Sequence, residues 1–184
     1  HYRERAADLK LAPLELINYA SCGAILMRAD LLQKFGALDE DFFMYHEDLE
    51  YSLRLRFAGY QIGLVPTAVY YHKYQFSRSI AKYFWMERNR YGVMFIFYRL
   101  PTLLLLAPVL FGLEIGLLAF AFKGGWWREK LQVYKYWLNP RNWPLWLAKR
   151  RRAQALRRLS DRALLKDAAT QVQFQEDSMR NPFL

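Results

Sequence analysis

The sequence predicts an α/β unit followed by hydrophobic, membrane-associated helices, and three observations carry that expectation. Short, mostly apolar runs at residues 19–28, 61–65 and 68–72 have the length and composition of buried strands. Helical patterns at residues 29–35 and 47–58 alternate with them. Beyond Ser77 the strand patterns stop and the chain turns helical and strongly apolar.

Taken in order, residues 29–35 predict a short helix that Gly36 ends. A loop follows, carrying Asp39-Glu40-Asp41 and Phe42-Phe43, with the acids read as turn and cap residues. The next helix, 47–58, sets Leu49, Leu53 and Phe57 on one face, and Gly59 caps it. Pro66-Thr67 separates the last two strands. Residues 78–98 form an amphipathic stretch carrying Lys82, Arg88 and Arg90. Three parts are therefore expected: 1–76 as the α/β part, 77–166 as the membrane-associating helices, and 167–184 as a polar, flexible tail. The first recognisable feature reads as a mid-domain strand, so the chain is expected to be the C-terminal half of a longer protein.

Residues 100–122 are long and apolar enough to cross a bilayer, for which about 20 residues suffice. Pro108 interrupts them, and Glu114 would cost at least ~2.5 kcal/mol at mid-bilayer. Basic residues flank both ends, Arg88, Arg90 and Arg99 before, Lys123, Arg128 and Lys130 after. Since cationic flanks stay on the cytoplasmic side, the expectation is a peripheral, re-entrant or in-plane hairpin at the cytoplasmic face of the inner membrane. The alternative is a buried core helix of a soluble protein. Trp143-Pro144-Leu145-Trp146 and the basic run Lys149-Arg150-Arg151-Arg152 suit an interface with anionic headgroups.

A net charge of +10 points to a polyanionic partner. No nucleic-acid module is recognisable, so an anionic membrane is preferred over RNA. The single cysteine, Cys22, rules out a disulfide within the chain and fits a reducing compartment. With no basic neighbour in sequence it reads as a small buried residue rather than a nucleophile.

Chemistry is expected at Glu47 and Asp48, in Tyr45-His46-Glu47-Asp48-Leu49-Glu50. They open a predicted helix, where exposed N–H groups and the helix dipole favour the ionised carboxylate that a general base needs. An acid there can also serve merely to cap the helix.

A wider order of residues comprises Gly23-Ala24-Ile25-Leu26-Met27-Arg28, then Phe35-Gly36-Ala37-Leu38-Asp39-Glu40-Asp41-Phe42-Phe43, then His46-Glu47-Asp48, Gly59-Tyr60 and His72. This order resembles the second half of the family-2 glycosyltransferases. Arg88-Asn89 matches the pair common after that histidine. The resemblance is closest to rhamnosyltransferase-like members that build bacterial surface polysaccharides. It implies the C-terminal part of a GT-A domain, inverting transfer from a nucleotide-sugar donor to a glycan or lipid-linked acceptor, and Asp48 as base. Glu47 would position the acceptor, Ser21, Cys22 and Gly23 would line the donor-sugar pocket, and Arg88 would touch substrate. His72 would meet a divalent cation, Mg²⁺ or Mn²⁺, held mostly by carboxylates that this sequence lacks, since no Asp-x-Asp precedes Gly23. Two readings from other classes stand beside this one: a non-catalytic membrane-anchoring module with a structural Glu-Asp helix, and a basic amphipathic lipid- or RNA-binding protein.

Overall fold

A computed structural model of the chain describes residues 13–71 and 79–166. Among these residues the predicted α/β layering is absent. Strand β1 (Glu15–Ile17) pairs antiparallel with β2 (Ile62–Leu64), in the register Glu15 to Leu64, Leu16 to Gly63 and Ile17 to Ile62. These two strands form the sheet of the described residues, and helices form most of the rest.

The expectation of an α/β, GT-A-like fold is thus overturned, and the reason is local. Residues 19–28 lack a partner strand, and Ser21-Cys22-Gly23 sits at a turn. Leu26 is fully exposed rather than buried, so the run has neither a ladder nor a core to hold it extended. Residues 68–71 are likewise irregular, with Val69, Tyr70 and Tyr71 exposed.

Both predicted helices of this stretch form. Helix α1 (Ala29–Phe35) ends at Gly36, whose φ of 79° suits a residue without Cβ. Helix α2 (Glu47–Phe57) is followed by Gly59 at φ 91°. The loop between them carries a 3₁₀ turn at Glu40–Phe42, capped by the Asp39 carboxylate accepting from the Asp41 amide. Arg54 does not face solvent: it grips Glu50 through two bonds of 3.0 and 2.6 Å and donates to the carbonyls of Phe35 and Ala37.

Four longer helices complete the body: α3 (Lys82–Phe97), α4 (Leu100–Lys123), α5 (Trp127–Leu138) and α6 (Trp143–Leu156), with the short α7 (Asp161–Lys166) after them. Helix α3 packs on α5 and α6. It meets α6 at Gly92, where a Cβ would clash with the Trp146 ring. Phe42 and Phe57 from the first stretch join Val93, Ile96, Phe97, Trp146, Ala153 and Leu164 in one core.

The cationic run near the C-terminus is largely spent inside the fold. A helix end leaves four carbonyls without partners inside the helix, and at the end of α3 three of them are met by side chains. Arg150 donates to the carbonyls of Phe95 and Tyr98, Gln154 to those of Ile96 and Phe97, and Arg157 to that of Phe97. Lys149 pairs with Asp39 and Asp41 at 2.5 and 2.7 Å. Arg151 and Arg152 remain exposed. Of the four residues expected at headgroups, Lys149 and Arg150 are thus taken up inside the fold.

Helix α4 is long and apolar enough to cross a membrane, and none of its most apolar window is buried, unlike a soluble core helix. It runs unbroken through Pro108, so the predicted hairpin does not form. Pro101 sits in its first turn, where the missing N–H costs nothing. Glu114 is not stranded among apolar residues. It bonds Arg90 of α3 at 3.0 Å, and Lys130 and Tyr134 of α5 at 2.5 Å each. Lys130, fully buried, also pairs with Glu87, and Arg90 bonds Glu87 at 2.9 Å. Two acids and two bases therefore neutralise one another between three helices, which a low-dielectric site demands.

Candidate functional site

The acidic pair sits at the mouth of an unusual turn. Phe43 has φ 53° and ψ −61°, and the Met44 amide donates to the Phe42 carbonyl at 2.5 Å, closing a strained γ-turn. Tyr45 and His46 follow at φ 65° and 67°. Side chains resist that region, at a cost of order 1–3 kcal/mol each, so the surroundings must hold it. His46 then caps α2 without a side-chain bond, and Glu47 and Asp48 begin the first turn.

Asp48 is half-buried, and its Oδ2 accepts from the Tyr19 hydroxyl at 2.8 Å. Burial, then the bond to Asp48, push the Tyr19 phenol up to about 12. Asp48 Oδ1 accepts from the Leu49 amide at 2.8 Å. Glu47 is half-buried with one oxygen, Oε2, enclosed and without a hydrogen-bond partner, and burial raises its pKa. His46 is in a similar state: Nδ1 is enclosed and unpartnered, and burial lowers the imidazole pKa. Two adjacent orphaned polar atoms beside an exposed hydroxyl bond mark this turn out from the rest of the described surface.

Of the residues expected at the site, Ser21 and Cys22 lie beside it. The Ala20 amide donates to Ser52 Oγ, midway along α2, at 3.2 Å, which holds this turn against the helix. Burial raises the Cys22 thiol pKa, and the charges of Asp48 and Glu47 raise it further, as proximity requires. Ser21 and Gly23 are exposed.

Arg88 does not come to it as a ligand. It is buried, bonds Asn89 Oδ1 at 2.9 and 2.6 Å, donates to the Asp41 carbonyl, and lies 4.5 Å over the Trp85 ring. The substrate-binding role is therefore replaced by a structural one. His72 falls outside the described residues. Among the described residues no three His, Cys, Asp or Glu side chains gather into a metal-binding group. The divalent cation implied by the resemblance thus has no ligand set there.

Sequence reasoning missed Tyr19, whose only signal is an aromatic two positions before Ser21. Asn89 was legible only as half of the Arg-Asn pair. No family model, no curated protein and no solved structure matches this chain.

Proposed function

We propose that this chain supplies the acceptor side of a membrane-associated, inverting glycosyl transfer, with Asp48 as general base. The observation that carries it is the Tyr19 hydroxyl on Asp48 Oδ2. A hydroxyl bonded at 2.8 Å to a solvent-reachable carboxylate is the arrangement an acceptor sugar needs to give up its proton. In the reaction, an acceptor hydroxyl displaces Tyr19 and attacks the anomeric carbon of the donor. Its proton passes to Asp48 Oδ2, and the bond from that carbon to the nucleotide diphosphate breaks on the opposite face, so the configuration inverts. The diphosphate leaves with the bonding pair. Glu47, beside Asp48, orients the acceptor, and the 21–23 turn lines the sugar site. The donor nucleotide and its cation are held by residues other than those described. The order of residues from Gly23 to His72 supports this reading independently of fold.

The membrane-associated location is supported by α4, whose exposed Leu104, Leu105, Val109 and Phe111 form an apolar face that the described residues leave uncovered. Opposite them, Glu114 is tied to α3 and α5. With Arg99 before it and Lys123 and Arg128 after it, an in-plane helix at the cytoplasmic face keeps every cation on one side. That same face favours a second reading, a non-catalytic anchoring module. Membranes carrying the full-length protein, supplied with nucleotide sugars and Mg²⁺, separate the two. Asp48→Asn abolishes transfer if Asp48 is the base; membrane binding without any transfer leaves the anchor.

A further inference from the structure

We propose that Asn89 is the positioning residue of the acidic pair, acting through the backbone of the turn before it; the inference rests on the reading of Asp48 as base. Asn89 is fully buried in the middle of α3. Its amide nitrogen lies 2.7 Å from the Phe42 carbonyl, 2.9 Å from that of Met44 and 2.7 Å from that of Tyr45. One carboxamide thus gathers three carbonyls from the four residues that fold the γ-turn and enter the left-handed region.

Its orientation is fixed chemically. Arg88 has only donors, so Asn89 must turn Oδ1 to the guanidinium and its NH₂ to the carbonyls. The Arg88 charge polarises the amide and strengthens its donation. Arg88 adds a bond to the Asp41 carbonyl, just ahead of the strained residues.

The strained residues give no reason of their own to stay folded this way. None is glycine, and the cap of α2 lacks a side-chain bond. Released, the turn relaxes toward negative φ and α2 no longer begins at Glu47 with Asp48 facing Tyr19. A misplacement of about 1 Å suffices to cost roughly 100-fold in rate. Asn89 touches no substrate and matters only through where it sets Asp48.

The test compares Asn89→Ala with Val93→Ala, a core truncation one turn along α3, in membranes of the full-length protein. Asn89→Ala is expected to lower kcat by roughly 100-fold with acceptor KM changed less than about threefold, whereas Val93→Ala keeps kcat at comparable loss of Tm. Adding Tyr45→Gly, which prefers positive φ, to Asn89→Ala should recover about tenfold. Losses of kcat that simply follow Tm in both variants, with no recovery from the glycine, overturn the proposal. If Asp48→Asn leaves transfer intact, the base reading fails instead. Hydrogen exchange then reads the clamp alone: Asn89→Ala must lose protection in residues 42–50, and unchanged protection there rejects it.

Discussion

The turn at residues 43–46 and helix α4 solve opposite problems. The turn is polar, strained and tied down: three non-glycine residues at positive φ are held by buried Asn89 and Arg88. Helix α4 is apolar along its length, with Pro108 inside it, and among the described residues polar contacts at Glu114 and at its Arg99 cap tie it to the body. Strain is retained in one region and apolar exposure in the other, and neither helps a soluble monomer fold. Under the proposed function the turn would present a base to a reacting hydroxyl and the helix would meet a lipid surface.

The contrast breaks most sharply at Lys130, which alone in α5 neutralises both Glu87 and Glu114. Lys130→Met leaves two buried carboxylates to Arg90 and should cost about 3–5 kcal/mol in denaturant unfolding. A loss under about 1 kcal/mol would mean that the network does not fasten α4. On the other face of that helix, Leu105 and Val109 are 80% and 70% exposed. Replacing both with Glu should leave unfolding within about 0.5 kcal/mol of wild type. Binding to anionic vesicles should drop at least about tenfold, since each buried aliphatic is worth roughly 1.5–3 kcal/mol. Retained binding would remove α4 from the membrane contact.

Gly92→Ala probes the body that both regions share. Its methyl meets the Trp146 ring, and overpacking of this kind costs about 1–3 kcal/mol, read as a lower midpoint with the same slope. The smallest effect belongs to His46. Burial lowers its pKa from 6.5, so the unfolded chain takes up this proton first as pH falls. Its contribution is complete above about pH 6.5 and is lost progressively below it. His46→Asn tolerates the left-handed backbone and cannot titrate there. The Tm of wild type should fall more between pH 7.5 and 5.5 than that of the variant. Parallel falls would show that the imidazole is not held neutral by burial.

Legibility in the sequence followed the range of the forces. Helices α1 and α2 were readable with their ends because Gly36 and Gly59 encode a backbone requirement at a single position. Of the strands, residues 61–65 did form β2 at Ile62–Leu64, whereas residues 19–28 did not, because an apolar run becomes a strand only if a partner edge exists elsewhere. Glu114 looked prohibitive in an apolar helix, and Arg90 and Lys130, its partners, are 24 and 16 positions away. The basic run 149–152 looked like a headgroup site, yet half of it is absorbed by Asp39, Asp41 and the end of α3. At the candidate site residue order singled out the acidic pair and residues 21–23, the latter expected in a strand and found at a turn. The strain that presents the pair was not readable, since nothing in Phe43-Met44-Tyr45-His46 prefers positive φ.

Sugar transfer by membranes bearing the full-length protein, wild type against Asp48→Asn, tests the central claim most directly. The account predicts transfer from at least one nucleotide sugar in wild type and a loss of about 10²–10⁴-fold in the variant, with membrane binding and Tm unchanged. Equal transfer by both proteins would contradict it.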